Sequence, residues 1–596
     1  MEPKVLTVES RVATVASTVT NRRTARLMGR QIRRYCWPMT SDTADREQFD
    51  LATVSEVVAA AVPDREAIIF GDRRLTYADL AERTRRLASY LHAHGLGCHT
   101  ERSELAPHES GQDHVALYLY NGNEYIEGML GCAKARAVSF NVNYRYVAEE
   151  LRYLFENASA RGVIFHGTFA PIVAELLESM SEEERDRIAV LLQVDDGSGE
   201  ALVPGAVDYE EALAASDPAG PGLATSPDDL YIVYTGGTTG MPKGVLWRSH
   251  DIFMNAMGGK EVGTWIEVGS YDEIAERARN NAGFRLMTLP PLMHGAAQWA
   301  AFMMLNAGST LIVPQSRNMD PSEVWSLVER ERIQSVVVVG DAMARPLLDE
   351  LRRGSYDTSS LFVLGNGGAA FSAALKEEFL DVLPDLMIND SLGSSETGAQ
   401  ASTLSTKGGV SAAEFQPGPG ATVVSEDLTA VLEPGHDGIG WSAQTGAVPL
   451  GYLGDAAKTA ATFPTIDGIR YSVPGDRAIW RPDGVIELLG RDSQCINSGG
   501  EKIFVEEVEQ AIISHPEVAD VLVCGRPSER WGSEVVAIVQ LDDGASVDEA
   551  ALAEHANASI ARYKLPKAWI VVDRVQRSPS GKADYRWAKE LAASSV

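Results

Sequence analysis

The chain has 596 residues, of which 45% are hydrophobic and 23% charged, a composition typical of a globular protein with roughly three or four compact units. Its 53 basic and 83 acidic side chains give a net charge of −30. These values exclude a single small module and a disordered tail protein. They also argue against a broad nucleic-acid-binding surface, which requires positive charge.

The first 48 residues differ from the rest of the chain. Residues 1–36 contain eight basic side chains and only two acidic ones, Glu2 and Glu9. They lack the continuous apolar region of a secretory signal, although their Arg, Ser and Thr content faintly resembles a transit peptide. We expect residues 1–48 to be an N-terminal extension, either a disordered arm or sequence upstream of a true start at Met39.

The cysteines indicate the compartment. All five are scattered and none forms a C-x-x-C pair, which disfavours a disulfide framework or a zinc ribbon and favours a reducing environment. No stretch approaches the ~18 apolar residues of a membrane-spanning helix. We therefore expect a cytoplasmic protein; contact with a membrane surface and the oligomeric state stay open.

Apolar patterning predicts the first structural elements. Folded sequence is expected to begin near Phe49, with a strand at Ala67 to Phe70 and an amphipathic helix at Leu75 to His94. Short apolar strands that each stop at a glycine follow at 231–234, 336–339 and 361–364. Helical stretches separate them, which predicts an α/β fold of parallel-type sheets covered by helices, with ligands at the carboxyl ends of the strands.

The chain is expected to divide into two domains. After about Gly490, a helix with Val505, Val508 and Ile512 on one face precedes two strands, at 521–524 and 535–541. This pattern predicts a small α+β domain over residues 491–596 behind a large domain over residues 49–490. Residues 98–113 are polar and lack periodicity. Although histidines cluster around them, no metal-binding spacing is present, so we expect a surface insertion.

The strongest chemical signal is the glycine- and threonine-rich loop after the strand at 231–234. Its glycines allow the backbone to approach a ligand closely, and their N–H groups can form an anion-binding nest. Threonine hydroxyls add donors and a lysine adds charge, so the loop suits a polyphosphate, although its spacing is not that of a Walker A loop. The candidate binding residues are Thr235, Gly236, Gly237, Thr238, Thr239, Gly240 and Lys243.

This loop resembles the phosphate loop of the acyl-adenylate-forming superfamily, which comprises acyl-CoA synthetases, luciferases and peptide-synthetase adenylation domains. The resemblance extends from about Phe49 to Glu590. It implies a large domain that adds a β-barrel-like part to the parallel sheets, and a small C-terminal domain that acts as a mobile lid. It also implies ATP, Mg²⁺ and coenzyme A as cofactors.

Three more segments of the large domain carry the resemblance. Pro290 to Gly295 resembles the P-L-x-H segment, which implies that His294 lies near the acyl carboxylate. Glu396 matches the glutamate that holds Mg²⁺, a cation that prefers oxygen ligands. Two positions depart from the pattern: Leu392 stands where an aromatic ring usually stacks on adenine, and Ser395 replaces threonine. The implied adenine- and nucleotide-binding residues are Gly367, Gly368, Ala369, Ser391, Leu392, Gly393, Ser394 and Ser395.

The remaining motifs lie at the domain junction and in the small domain. Asp476 matches the aspartate that binds both ribose hydroxyls, and Arg491 matches the arginine that reaches ribose and phosphate. Ser493 fills the hinge position, where the family usually carries a charge. The resemblance also implies a pantetheine tunnel lined by Gly499, Gly500 and Lys502, and a terminal P-x-x-G-K motif that ends at Lys582.

The resemblance implies an AMP-forming acyl-CoA synthetase with Lys582, Glu396, Thr238 and His294 in catalytic roles. A carboxylate attacks the α-phosphorus of ATP to give acyl-AMP and pyrophosphate, and the thiol of coenzyme A then displaces AMP. The Lys582 ammonium would stabilise the charge that gathers between carboxylate and phosphate.

The substrate is implied by finer similarities. Several segments, among them Trp247-Arg248 and Asp584 to Lys589, resemble an actinobacterial-type branch that handles long-chain fatty acids and steroid side-chain acids. A lipid carboxylic acid is therefore the expected partner, and no nucleic acid is expected. Two alternatives stay open: a ligase that loads the acyl group onto a carrier protein, and a non-catalytic nucleotide-binding paralogue.

Overall fold

The structure is a computed structural model. It describes residues 47–595 apart from 236–240, 262–263, 370, 411–413, 492–493, 499–500, 529–531, 543 and 578–581, and it does not describe the side chains at 497, 501 and 502. Residues 1–46 lie outside this description, so the expectations for the N-terminal extension stay predictions.

The first part of the fold builds a five-stranded parallel sheet with the order β4-β3-β5-β6-β7. Strands β3 to β6 are mostly apolar and buried, as expected for a parallel sheet flanked by helices, whereas the two-residue edge strand β7 is exposed or half-buried. The elements of this part are α1 (Leu51–Ala61), β1 (Glu66–Phe70), β2 (Arg73–Thr76), α2 (Tyr77–Ala93), β3 (His114–Tyr118), α3 (Asn123–Lys134), β4 (Val138–Asn141), α4 (Ala148–Asn157), β5 (Ala160–His166), α5 (Ala170–Ser179), α6 (Glu182–Arg187), β6 (Val190–Val194), β7 (Val207–Asp208) and α7 (Tyr209–Ala214).

The middle of the chain supplies the larger sheet. Strands β1, β11, β10, β12, β13 and β14 lie side by side and parallel in that order, and β15 continues the sheet in the antiparallel sense. The elements of this part are β8 (Leu230–Thr235), β9 (Lys243–Arg248), α8 (Ser249–Ala256), α9 (Tyr271–Asn280), β10 (Arg285–Thr288), α10 (Gly295–Asn306), β11 (Thr310–Val313), α11 (Pro321–Glu331), β12 (Ser335–Val338), α12 (Gly340–Arg353), β13 (Val363–Gly367), α13 (Ala373–Val382), β14 (Met387–Ser394) and β15 (Gly398–Ser405).

The part expected to resemble a barrel is a set of mainly antiparallel strands. It joins the large sheet through β15 and β16, while β19 pairs with β9 in a separate three-stranded sheet that also contains β8. Its elements are β16 (Glu414–Pro417), β17 (Ala421–Val424), β18 (Gly440–Thr445), β19 (Gly451–Tyr452), α14 (Ala456–Thr462), β20 (Thr465–Ile466), β21 (Ile469–Ser472), β22 (Asp476–Trp480) and β23 (Ile486–Arg491).

The small C-terminal domain has its own sheet, with the order β25-β24-β27-β26 and β28 paired to β27. Val505, Val508 and Ile512 are buried in its core, as their spacing predicts. The elements are β24 (Ile496–Ser498), β25 (Glu501–Ile503), α15 (Val505–Ile513), β26 (Val518–Ser528), β27 (Gly532–Leu541), α16 (Glu549–Asn557), β28 (Ala568–Val572) and α17 (Tyr585–Ser594).

Several predicted element boundaries differ from the structure by a few residues, and two of these differences have a clear physical reason or bear on the site. The helix expected from Leu75 begins at Tyr77, because Thr76 caps it: the Thr76 hydroxyl accepts from the Asp79 N–H, and the Thr76 N–H donates to the Asp79 carboxylate. The strand expected to stop before Gly365 continues to Gly367. The glycines at 365 and 367 are therefore strand residues, which matters for the site below.

Residues 98–113 form an irregular excursion before β3. Cys98 pairs with Gln112 in an isolated bridge, and His99 Nε2 lies 2.5 Å from Asp113 Oδ2. Most of the segment is exposed or half-buried. Elsewhere, none of the helices described combines the length and apolar content that crossing a bilayer requires.

Candidate active site

The candidate site residues gather where the parallel strands of the large sheet end. His294 follows β10, Gly367 ends β13, and Ser391 to Ser394 end β14. The register of β13 and β14 sets Gly367 opposite Ser391. Because parallel strands finish at the same edge, segments far apart in sequence meet here, as the α/β pattern predicts.

Lys582 reaches this edge from the small domain. Lys582 directly precedes Ala583, which pairs with Arg577 in an isolated antiparallel bridge, so the two ends of the segment that carries the lysine are held together. Arg577 is anchored in turn by a two-pronged ion pair with Asp520, with Nε–Oδ2 and Nη2–Oδ1 distances of 2.7 Å. Such bidentate pairs fix orientation as well as charge, so the lysine segment has a firm base.

Lys582 is surrounded by residues of the expected nucleotide site. Its Cε lies 3.8 Å from the point that a Cβ on Gly368 would occupy, directly beside the expected adenine turn. Solvent reaches the side chain, yet the surrounding protein lowers its pKa, mainly by desolvation and then by the positive charge of Arg491, while the charge of Glu396 opposes the shift. The lysine therefore lies among the large-domain residues expected at the nucleotide.

His294 caps the N-terminus of α10 and is close enough to Lys582 to sense its charge. Burial, and secondarily the Lys582 ammonium, lowers the pKa of His294 to about 3, so its imidazole is neutral near pH 7. Its Nε2 is buried and makes no hydrogen bond to any residue that the structure describes. A buried ring nitrogen of this kind is suited to a ligand group.

The Glu396 carboxylate is half-buried and oriented by a neighbouring side chain. The Tyr452 hydroxyl donates to Glu396 Oε1 at 2.9 Å, and the Ser472 hydroxyl donates to the Glu396 carbonyl oxygen at 2.6 Å. Within the described part of the chain, Oε2 takes no hydrogen bond. An oriented carboxylate with an available oxygen fits Mg²⁺, which prefers oxygen ligands and keeps several waters.

Only the two ends of the predicted phosphate loop can be assessed. Thr235 and Lys243 pair across the ladder of β8 and β9. Lys243 Nζ lies 3.0 Å from Asp455 Oδ2 and 5.5 Å from the centre of the Tyr452 ring. Lys243 thus connects the loop to the residue that orients Glu396, and its contact with phosphate stays a prediction.

Several predicted residues lie outside the described part of the chain. They are Gly236, Gly237, Thr238, Thr239 and Gly240 of the phosphate loop, Ser493 of the hinge, and Gly499 and Gly500 of the pantetheine segment, together with the Lys502 side chain. Their expected roles stay predictions.

Asp476 and Arg491 stand opposite each other on β22 and β23. Arg491 Nε lies 3.2 Å from Asp476 Oδ1, and this neighbour, as the largest cause, raises the pKa of Arg491. Next to them, Glu506 of α15 accepts from the Arg491 N–H at 3.3 Å. A Cβ on Gly490 would lie 2.1 Å from Glu506 Oε2, so glycine allows the small domain to pack closely here.

The adenine turn rests on a buried polar cluster that the sequence pattern did not identify. Asn366 accepts from the Gly340 N–H at 2.7 Å and donates to the Ala369 carbonyl at 3.0 Å and to Asp390 Oδ1 at 2.8 Å. The fully buried Lys376 pairs with the second oxygen of Asp390. Gly367 and Gly368 therefore adjoin a network that joins four elements, α12, β13, α13 and β14.

A strip of the large sheet is accessible although it crosses central strands. Alternate residues of β12 to β14 on one face are buried, whereas the opposite face, apart from Ser335 at the start of β12, is half-buried or exposed. A Cβ on Gly365 would meet nothing closer than Val337 at 3.4 Å, and one on Gly367 nothing closer than 3.6 Å. Packing does not require glycine at either position, and glycine inside a strand often marks the close approach of a ligand. The accessible strip comprises Val337, Gly365, Gly367, Asn389, Ser391, Ser402 and Leu404.

Comparison with known families agrees with this geometry. The family described as AMP-binding enzyme matches residues 55–445, and the AMP-binding enzyme C-terminal domain matches residues 507–582. The chain belongs to the family of AMP-binding enzymes. The first match contains the adenine turn and Glu396, and the second ends at Lys582.

Curated relatives of the enzyme are similar over almost their whole length. The medium-chain acyl-CoA ligase Mig of Mycobacterium avium is 57% identical over 92% of this chain and 98% of its own length. The 3-oxocholest-4-en-26-oate–CoA ligase of Rhodococcus rhodochrous is 41% identical over 91% of this chain and 96% of its own. These relatives confirm the predicted superfamily and the predicted enzyme class.

Solved structures agree on the fold. ATP-bound MatB of Rhodopseudomonas palustris matches with a TM-score of 0.73 and 22% identity, over 90% of this chain and 98% of that one. A fatty acyl-CoA synthetase of Mycobacterium tuberculosis matches with a TM-score of 0.65 and 23% identity, over 92% and 99%. The predicted architecture, a large domain of sheets and helices with a small C-terminal domain, is therefore confirmed.

Proposed function

We propose that the enzyme activates a medium- or long-chain fatty acid, or a steroid side-chain acid, as its acyl adenylate and transfers the acyl group to coenzyme A. The observation that carries this proposal is the position of Lys582. A lysine of the small domain stands beside Gly368 and close to His294 and Glu396 of the large domain.

In the first half-reaction, an oxygen of the substrate carboxylate forms a bond to the α-phosphorus of ATP, and the bond to pyrophosphate breaks. Lys582 stabilises the negative charge that gathers between the two reactants. The neutral His294 presents its buried Nε2 toward the carboxylate without adding charge. Asp476 and Arg491 hold the ribose and phosphate, so catalysis consists mainly of alignment and charge stabilisation.

A magnesium ion fits the same site. When bound, it would neutralise phosphate charge during the displacement. Glu396 would hold it through the oxygen that Tyr452 leaves available, while Tyr452 fixes the carboxylate orientation. Lys243, paired with Asp455 beside the Tyr452 ring, would keep this part of the site aligned with the phosphate loop.

The second half-reaction requires a different group next to the acyl adenylate. We propose that the small domain, from about residue 491, rotates near Arg491 and Ser493. This motion withdraws Lys582 and brings Gly499, Gly500 and Lys502 to line the path of the coenzyme A thiol. The sulfur then forms a bond to the acyl carbon, and AMP leaves. Closure in each state keeps water from the reactive anhydride.

The accessible strip is the proposed position of the acyl group. It starts at Gly367 and Ser391, beside the turn next to Lys582, and continues past Gly365 to the exposed side chain of Leu404. Gly365 and Gly367 are not required to be glycine by close neighbours, so the space above them suits a long or bulky lipid chain that lies on the sheet. The scattered cysteines favour a reducing compartment, and we propose a cytoplasmic location.

A panel of carboxylic acids tests the proposal. Fatty acids of increasing length and steroid side-chain acids would be assayed for AMP release with ATP, with and without coenzyme A. We expect release that depends on free coenzyme A and is greatest for medium, long or steroid acids. A carrier-protein ligase is the competing function, since a fatty acid–[acyl-carrier-protein] ligase of Streptomyces coeruleorubidus is 30% identical. Turnover with carrier protein but not with coenzyme A would favour it.

A further inference from the structure

Asn141, the last residue of β4, connects two segments of the candidate site. Its side chain is buried and hydrogen-bonds only to backbone groups among the residues described. Oδ1 accepts from the Tyr234 N–H at 2.7 Å, and Nδ2 donates to the Tyr234 carbonyl at 2.9 Å and to the Met293 carbonyl at 2.7 Å. Asn141 belongs to the first sheet, Tyr234 to β8 and Met293 to the segment after β10.

The first of these connections fixes the entry to the phosphate loop. Strand β8 is an edge of its three-stranded sheet, with β9 on one side. On the other side the Asn141 amide pairs with both backbone groups of Tyr234, as a neighbouring strand would. Thr235, the next residue, begins the predicted phosphate loop. The entry to the loop, at Tyr234 and Thr235, is therefore held by Asn141 as well as by β9.

The second connection fixes the histidine segment. Met293 immediately precedes His294, and two other amide side chains hold Leu292: Asn121 accepts from its N–H at 2.7 Å and Gln298 donates to its carbonyl at 2.8 Å. Gln298 also accepts from the side-chain hydroxyl of Tyr231 in β8 at 2.6 Å, but of these three amide side chains only Asn141 bonds to the backbone of β8. Asn141 thus joins the backbone just before the predicted phosphate loop directly to the backbone just before His294.

We propose that Asn141 is a positioning residue that aligns ATP with the acyl carboxylate during adenylate formation. The inference rests on the proposed function, because it concerns the two reactants of the first half-reaction. Misplacement of aligned reactants by about 1 Å can reduce a rate about 100-fold. Adenylation requires the phosphate loop and the histidine segment to be correctly placed relative to each other, because it joins ATP to the acyl carboxylate. Transfer of the acyl group from an acyl adenylate that is already formed does not involve that step.

Asparagine supplies the set of groups that this position needs. It offers one acceptor for the Tyr234 N–H and two donors for the two carbonyls. Aspartate would lose both donors. Alanine would leave three buried backbone groups without these partners, and serine is too short to reach both segments.

The test compares Asn141→Ala and Asn141→Ser with wild type in three measurements. These are exchange of labelled pyrophosphate into ATP, thioester formation from supplied acyl adenylate, and the melting temperature. Asn281→Ala is the matched control, since Asn281 also bonds to four groups, two in the segment after α10 and two in its own turn, but follows α9, away from the site.

We expect the Asn141 variants to lower the kcat of pyrophosphate exchange about 10- to 100-fold while thioester formation stays within about threefold. Asn281→Ala should lower the melting temperature and leave both half-reactions unchanged. Equal loss of both half-reactions, unchanged exchange, or insolubility of both Asn141 variants would overturn the proposal. If none of the carboxylic acids supported pyrophosphate exchange by wild type, the proposed function itself would fail. If wild type exchanges pyrophosphate and the Asn141 variants behave like Asn281→Ala, only this inference fails.

Discussion

Lys582 lies beside Gly368, although 214 residues separate them, and its Cε is 3.8 Å from where a Cβ on that glycine would stand. Gly368 has a φ of +87°, a left-handed conformation that favours glycine, and it follows the strand that ends at Gly367. The turn therefore leaves room for the lysine. This relationship brings a lysine of the small domain to the proposed nucleotide site of the large domain.

The first prediction concerns the pH dependence of adenylation. Lys582 acts as a cation, and desolvation and Arg491 lower its pKa below the 10.5 of free lysine. The rate of pyrophosphate exchange should therefore fall on the alkaline side at a pH below 10.5. Arginine keeps its charge there, so Lys582→Arg should be slower but should lose this alkaline decline.

Exchange rates measured from pH 6 to pH 10 check this prediction. Lys589→Arg, on the exposed surface of α17, serves as the control and should keep the wild-type profile. An identical alkaline decline in wild type and Lys582→Arg would show that another group titrates.

A second prediction concerns the magnesium site. Glu396→Gln removes the charge but preserves the size of the side chain. The Mg²⁺ concentration needed for half-maximal ATP binding should therefore rise by at least about tenfold. Tyr452→Phe removes only the hydroxyl that orients Glu396 and should raise this Mg²⁺ concentration by up to about tenfold. Titration calorimetry of ATP with and without Mg²⁺ measures this directly, without turnover. Equal ATP affinity with and without Mg²⁺ in wild type would remove Glu396 from a metal role.

Chain-length selectivity gives a third prediction. A leucine at 365 would stand on the accessible strip without clashing with the sheet, since its Cβ would meet nothing closer than 3.4 Å. Gly365→Leu should lower kcat/KM for long or steroid acids about 10- to 100-fold and leave short acids nearly unchanged. Gly409→Leu, in open space, is the control. A uniform loss for all acids would place the acyl group elsewhere.

The fourth prediction concerns the stability of the small domain. Burial, as the largest cause, raises the pKa of Glu509 to about 8 from 4.5, so the folded protein holds a proton that the unfolded chain releases. Its stabilising contribution is complete below about pH 4.5 and is lost as the pH rises through about 8. Glu509→Gln should therefore flatten the fall in unfolding free energy between these values.

Urea unfolding of wild type and Glu509→Gln at several pH values measures this effect. Glu549→Gln, on the exposed start of α16, is the control and should follow wild type. Parallel pH profiles for wild type and Glu509→Gln would contradict the assignment.

The sequence predicted those parts of the site that have a local pattern. A glycine-rich loop after a strand and a lysine after a turn are recognisable in a few residues, and in the structure the charge of Glu396 acts on Lys582. Asn141 and Tyr452 were missed because each contributes one polar side chain from a segment distant in sequence. Asn141 and Met293, for example, are 152 residues apart.

The end of β13 shows a different limit of sequence reasoning. Glycine usually ends a strand, so Gly365 was expected to begin a turn. Parallel neighbours on both sides carry the strand on to Gly367. Gly365 and Gly367, which made the predicted end of the strand wrong, are also the residues that leave space on the accessible strip.

The most direct test of the account is exchange of labelled pyrophosphate into ATP by wild type and Lys582→Ala, measured with fatty and steroid side-chain acids. We predict acid-dependent exchange by wild type and a loss of about 100- to 1,000-fold in Lys582→Ala, with thioester formation from supplied acyl adenylate largely retained. Exchange by Lys582→Ala at the wild-type rate, or equal loss of both half-reactions, would contradict the role assigned to Lys582.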